Sequence, residues 1–396
     1  MNTIYDLPTP GKADLERSKA LSERIRQEID VQNGKISFET FMSLALYHPV
    51  LGYYNSESFR LGRHGDFTTA PEISPLFAKC FARQIRQITA SMGSLSLLEA
   101  GAGTGRFACN LLLELERLDC LPEHYYIYEL SLPLREKQRA CLQKTCPDLA
   151  RRVTWLDTLP LKFKGIMIAN EVLDALPVHC FYVDKNNIQE RCVGWEKNAF
   201  VWRQTEPSSR LLAEKARSLR DTCSLTEGYT SEINLRMLSF IGSLADALEQ
   251  GVILLADYGY GQREYYHPER RQGTLTCFYQ HHRLDNPLIL PGLQDLTAHV
   301  DFTSVIECAS DHGCRLFGYT SQAAFLMANG LLDLAAAEEK RLTPAEEFQL
   351  HHAIKVLTLP TEMGELVKIM ALGKELDLRL SGFDLQDRRR ELQVCV

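Results

Sequence analysis

The sequence predicts an α/β fold: a doubly wound, mostly parallel sheet, preceded by an N-terminal helical region and carrying an inserted subdomain on the substrate side. Three observations carry that expectation. Short apolar runs alternate with amphipathic helical stretches from residue 95 onward. A glycine-rich loop, LLEAGAGTGR, joins the first run to its helix. Antiparallel-looking and proline-bearing segments interrupt the alternation at 178–203 and 260–298.

The elements follow in order. Leu15, Leu21, Ile25 and Ile29 fall at near-helical spacing, which predicts a helix over 13–32. Ser37 is expected to cap a second helix, FETFMSLALYHP, that Pro49 helps to stop. A long Gly-, Ser-, Thr- and Pro-rich loop covers 52–75, and a helix follows from Pro75 to Ala90. Then come strand LSLLEA, helix RFACNLLLELERL, strand YYIYEL, helix LREKQRACLQK and strands RVTWLD and GIMIANEV. GVILLADYG reads as a buried strand, 313–320 as a returning strand, 322–358 as helical and ELVKIMALG as the last strand. Unbroken apolar strands imply a sheet covered on both faces. The expected divisions are 1–92 for N-terminal helices and a cofactor-side loop, and 93–260 for the core with its antiparallel insertion. Residues 261–360 form the substrate-side insertion and helices, and 361–396 the last strand and tail.

Composition removes several classes. A chain of 396 residues with 45% hydrophobic residues can bury a large core. Its net charge of −7 argues against a nucleic-acid partner. The 12 cysteines include no CxxC pair, so no zinc or dithiol site is signalled. Runs such as VILLA are too short for membrane insertion. MNTIYDLPTPGK has no apolar core segment and carries an acid, which suggests a cytoplasmic chain.

The glycines raise the chemistry. A dinucleotide fingerprint needs a small third residue, and Arg106 stands there. The spacing is instead Glu99, Gly101, Gly103, Gly105. It fits either a tight turn with positive φ or bare backbone against a sugar and an amino-acid moiety. A Cβ at Gly101 or Gly103 is expected to fill ligand volume. Glu129 ends the second strand, where a carboxylate can accept from two ribose hydroxyls or simply open the next helix. Leu130 follows it. Asp157 ends the third strand, suited to an adenine amino group or to the DTLP turn.

Strand, glycine loop, helix and acid resemble a class I S-adenosylmethionine-dependent methyltransferase. ALYHPVLGYY, GDFTTAPEIS, LLEAGAGTGR, ANEVLDALPV, LPGLQDLTAHVDF and LPTEMGELVKIMALGK occur in this order, and together they resemble the MidA family over residues 35–375. That resemblance implies S-adenosyl-L-methionine as cofactor. It also implies an arginine of a protein as acceptor, since the family includes mitochondrial complex I assembly factors. The weak N-terminal signal points to a bacterial member. Two alternatives stay open: a small-molecule acceptor, and a non-catalytic assembly factor.

Glu171 and Asp174 of ANEVLDALPV lie one turn apart if a helix begins there. They are the expected guanidinium clamp, or else helix-opening residues; Asn170 is expected to orient cofactor or acceptor. Asp66, Thr68, Thr69 and Glu72 of GDFTTAPEIS are expected at the methionine end of the cofactor, or as a turn that caps the next helix. Asp257, Tyr258 and Gly259 are expected to wall the acceptor pocket, and CFYQHHR to meet a protein loop. His179 reads as a partly buried strand histidine before it reads as a base.

Overall fold

The computed structural model describes residues 7–56, 68–185 and 187–392. Among the described residues the central sheet has eight strands, seven of them in one row: β1 (Ser96–Ala100), β2 (Tyr125–Tyr128), β3 (Val153–Leu156), β4 (Phe163–Asn170), β5 (Leu248–Tyr260), β6 (Arg315–Ser321) and β7 (Val367–Lys374). Their spatial order is β6-β7-β5-β4-β1-β2-β3, and the short strand Val300–Asp301 pairs beside the end of β5. Strands β1 to β5 are parallel, while β7 runs antiparallel to both β5 and β6. The chain leaves β1 toward β3, then returns to lay β4 on the other side of β1. That reversal opens a crevice between the carboxyl ends of β1 and β4, where such sheets bind ligands.

Helices cover both faces. The N-terminal pair, α1 (Lys12–Val31) and α2 (Phe38–Tyr47), lies elsewhere, as described below. Helices α3 (Pro75–Met92), α4 (Arg106–Arg117) and α5 (Leu132–Thr145) join the segments at 322–358 in one core against Ile166, Leu254 and Ile369. On the other face α6 (Leu235–Ala247) and α7 (Phe302–Asp311) pack against Leu98, Met167 and Leu255. Neither α6 nor α7 is in the expected pattern. No described helix is long and apolar enough to cross a membrane.

Helix α1 buries Leu21, Ile25 and Ile29 at helical spacing, and leaves Leu15 half-buried. Ser37 caps α2, its hydroxyl accepting from the Thr40 amide at 3.1 Å; such a cap is worth about 1 kcal/mol. Both helices share a third core with Val178, Cys180, Val193 and Leu296. Three consecutive antiparallel strands span His179–Thr205, and Ile36–Ser37 and Thr230–Ile233 join them in one five-stranded sheet. The N-terminal region and the insertion are therefore one packed unit, which carries Tyr47 and Tyr54 to the crevice. CFYQHHR forms a hairpin, Thr276–Tyr279 with His282–Leu284, whose turn residues Gln280 and His281 have positive φ.

Candidate active site

A cleft of about 870 Å³ occupies the crevice. Its wall includes Glu99, Gly101, Gly103, Glu129, Asn170 and Glu171. Thr69, Glu72 and Leu130 also line it. Leu130 is 71% exposed, an apolar side chain left at the rim.

The glycine loop needs its glycines for backbone reasons first. Gly101, Gly103 and Gly105 have φ of 71°, 51° and 83°, the left-handed region. A Cβ on Gly101 would stand 2.7 Å from Val172 Cγ2, so Val172, not ligand alone, fills the space beside it. Gly105 is not on the wall: its Cβ would meet Gln138 Cα at 3.0 Å, so it serves the close packing of α4 on α5. Glu99 accepts from the Tyr125 hydroxyl at 2.6 Å, and burial pushes its carboxyl up to about 7.

Glu129 is 8% exposed, and burial raises its carboxyl. One oxygen accepts the Ser131 amide at 2.9 Å and the other the Gln138 side-chain amide at 3.1 Å. A carboxylate has about four acceptor positions, so roughly two remain for a ligand. Glu129 thus braces the Ser131 amide, with Ser131 capping α5, and lies on the cleft wall. Asp157 does not reach the wall. Its side chain is 87% exposed and pairs with Arg135 at 2.8 Å, while Arg135 also donates to the carbonyls of Glu129 and Leu156. Arg135 ties the ends of β2 and β3 together and draws Asp157 with it, so the adenine assignment for Asp157 is corrected.

Asp66 lies outside the described residues. Thr68 is not on the wall. Thr69 precedes the one-turn helix Ala70–Ile73 and makes no side-chain cap bond. Glu72 accepts from Thr104 and pairs with Arg106 Nε at 3.0 Å, so its carboxylate clamps the glycine loop. Glu72 also lines the cleft, so it braces the loop from a place on the wall.

The ANEV segment is held tightly. Asn170 Oδ1 is buried without a hydrogen-bond partner among the described residues. Glu171 has φ of 50°, uncommon for a residue with a side chain. Its Oε1 accepts from the Ala70 amide at 3.0 Å and from Asn170 Nδ2 at 3.3 Å. Oε2 has no hydrogen bond among the described residues. Burial, with the charge of Asp257 adding to it, pushes Glu171 up to about 8. Asp174 is 8% exposed and not on the wall. Burial first, then Asp257, Glu171 and Asp295, hold its carboxyl well above the usual range. The two-pronged fork from one helical turn is therefore corrected: no helix begins at Glu171, and Asp174 sits behind the surface that Glu171 presents.

Sequence reasoning misses the aromatic cover. Tyr47 and Tyr54 line the cleft with ring centroids 5.4 Å apart, and Arg236 and Phe240 come from α6. The string ALYHPVLGYY carries the tyrosines, yet no local period marks them. His179 pairs with Glu190 at 2.8 Å inside the antiparallel sheet, as a partly buried strand histidine would. Asp257 is 1% exposed and faces the backbone, not the cleft.

The described residues fit an adenosine ligand bearing an amino-acid moiety. The cleft is large enough, Glu129 keeps acceptor capacity at the end of β2, and the orphaned Asn170 Oδ1 suits an ammonium or another donor. Comparison with known proteins agrees. A crystal structure from Burkholderia thailandensis bound to S-adenosyl-homocysteine superposes with a TM-score of 0.92 at 37% identity, covering 97% of this chain and 100% of that one. The mitochondrial protein arginine methyltransferase NDUFAF7 of Danio rerio is 29% identical, covering 88% of this chain and 85% of its own. The human NDUFAF7 is 27% identical, covering 86% and 80%. These curated relatives are mitochondrial proteins, so the cytoplasmic expectation is withdrawn. The profile of a family described as "Putative S-adenosyl-L-methionine-dependent methyltransferase" matches residues 76–320. The chain belongs to this MidA-like family of S-adenosyl-L-methionine-dependent methyltransferases.

Proposed function

We propose that the methyl acceptor is an arginine side chain of a protein. One observation carries the reading: Glu171 reaches the cleft with an uncommitted oxygen, backed by the buried carboxyls of Asp174, Asp257 and Asp295. Such a cluster favours a cation over a neutral hydroxyl or thiol. Relatives named protein arginine methyltransferase support the same choice.

S-adenosyl-L-methionine supplies an activated methyl group on a sulfonium centre. In this proposal Glu129 holds the ribose, Gly101 and Gly103 lie against the amino-acid portion, and Asn170 Oδ1 accepts from the ligand. Glu99, Thr69 and Leu130 complete the contact. Glu171 Oε2 accepts a guanidinium N–H and orients the attacking nitrogen. Its open oxygen on the cleft wall also places it to take the proton that this nitrogen sheds. Asp174 contributes field and not contact. Tyr47 and Tyr54 exclude water from above.

The test is to incubate labelled cofactor, the protein and cell extract, and to locate the label by mass spectrometry. Label on arginine, lost with Glu171→Gln, is the expected result. Label on lysine or on a small molecule would overturn the arginine reading and leave the methyltransferase standing.

A further inference from the structure

Two adjacent residues of β5, Ala256 and Asp257, grip the chain at Glu171 and just beyond it. The Ala256 carbonyl takes the Glu171 amide at 2.8 Å. The Asp257 carboxylate takes the next two amides, Val172 at 3.0 Å and Leu173 at 2.8 Å, through one oxygen. Its other oxygen takes the Tyr258 amide at 2.9 Å. Asp257 is 1% exposed, so these amides stand in for water around a buried carboxylate. Between the two grips Glu171 is left-handed, at φ 50°. Backbone held in that region near an active site is a sign of an imposed geometry. The same turn carries Val172, whose methyl group fills the space beside Gly101.

We infer that Asp257 is a positioning residue for methyl transfer: its carboxylate sets the Glu171–Leu173 turn, which aims Glu171 into the cleft and seats Val172 on the glycine loop. The inference rests on the proposed role of Glu171. It gives the buried carboxylate at the end of β5 a task that wall contact does not. It also links the acceptor side of the cleft to the cofactor side through one turn.

Three readouts test it. In the wild-type protein the Val172 and Leu173 amides should exchange with solvent at least about 100-fold more slowly than exposed amides, because the carboxylate takes both. Asp257→Asn keeps size but turns an N–H toward an amide on one side. The variant should bind S-adenosyl-homocysteine roughly 3- to 10-fold more weakly and lose about 100-fold in single-turnover methylation of the labelled acceptor. Its pH profile should also move. Wild-type rate rises with pH as Glu171 ionises. Facing Glu171 are Asp257, Asp295, Asp174, the Tyr258 phenol, Asn170 and the Ala70 amide. Removing the Asp257 charge should shift the rising limb to lower pH. A purely structural role would lower the amplitude and leave the limb in place, which would overturn the inference, as would free exchange of the two amides. If the variant does not fold, wild-type exchange alone decides. If wild type binds S-adenosyl-homocysteine but labels no arginine, the acceptor reading fails, while exchange and ligand affinity still read Asp257.

Discussion

Glu129→Gln tests the cofactor site most directly. The carboxylate has two protein donors, the Ser131 amide and the Gln138 side chain, and spare capacity toward the cleft. Glutamine can keep the Ser131 bond through its oxygen. It then presents an NH₂ group where a ribose hydroxyl needs an acceptor. A hydrogen bond to a charged group is worth about 1.5–3 kcal/mol, so losing it should weaken S-adenosyl-homocysteine roughly 10- to 150-fold. A carboxylate that only faced a pocket would leave folding unchanged on substitution. The structure changes that expectation. Gln138 also donates to the Gly103 carbonyl at 3.1 Å and accepts from Trp155 at 2.8 Å, so disturbing it loosens the loop and α5 together. A stability loss of about 1–2 kcal/mol should accompany the affinity loss. Calorimetric titration with S-adenosyl-homocysteine, beside a thermal melt, separates the two. An unchanged dissociation constant in a folded variant would refute the ribose assignment.

Other outcomes follow from the same geometry. Glu171→Gln should leave cofactor affinity within about threefold and cut single-turnover methylation roughly 30- to 1,000-fold; wild-type turnover would remove it from the site. Asp174→Asn should cost less, roughly 5- to 30-fold in rate, since it acts through field; a loss matching that of Glu171→Gln would mean that it touches the acceptor. Gly101→Ala places a Cβ 2.7 Å from Val172 at a left-handed φ, and should weaken S-adenosyl-homocysteine at least about tenfold by titration. Glu99 near 7, Glu171 near 8 and Asp257 near 7 hold protons in the folded state that the unfolded chain releases near 4. Their stabilising contribution is complete below that pH and lost as pH rises through 7–8, so the cofactor-free melting temperature should drop by roughly 3–8 °C between pH 6 and 8.5. A flat or rising melting temperature would count against buried, protonated carboxyls.

Much of the core was legible because its signals are local. Apolar strands, the Ser37 cap and the glycine loop each sit within a few residues of what they determine. The reversed direction of β7 was not legible, because VKIMALG is equally apolar in either sense and only its neighbours decide. Glu129 could be placed because it follows a strand directly. Asp157 follows one too, yet Arg135, 22 positions earlier, draws it outward. Glu171 and Asp174 are three apart, which suggests one helical face. The left-handed backbone at Glu171 breaks that spacing, and the groups that bond to that turn lie on β5, more than 80 residues away. Tyr47 and Tyr54 reach the cleft only because α1 and α2 pack on the insertion, a contact with no period in the sequence.

The cluster behind Glu171 explains more than acceptor choice. Burial, with Asp257 further raising Glu171 and Asp174, keeps these carboxyls partly protonated at neutral pH while no cation is near, which spares the protein several buried charges. A positive charge entering the cleft reverses the balance, because each ionised carboxylate then gains a partner. Asp257 carries three amide bonds and is the member best equipped to ionise first. Glu171 has one oxygen tied to Ala70 and Asn170 and the other open, so its charge appears where a guanidinium would stand. On the proposed reading the turn directs the carboxylate, while burial holds it back from ionising until a cationic ligand is present. A neutral acceptor would gain from neither.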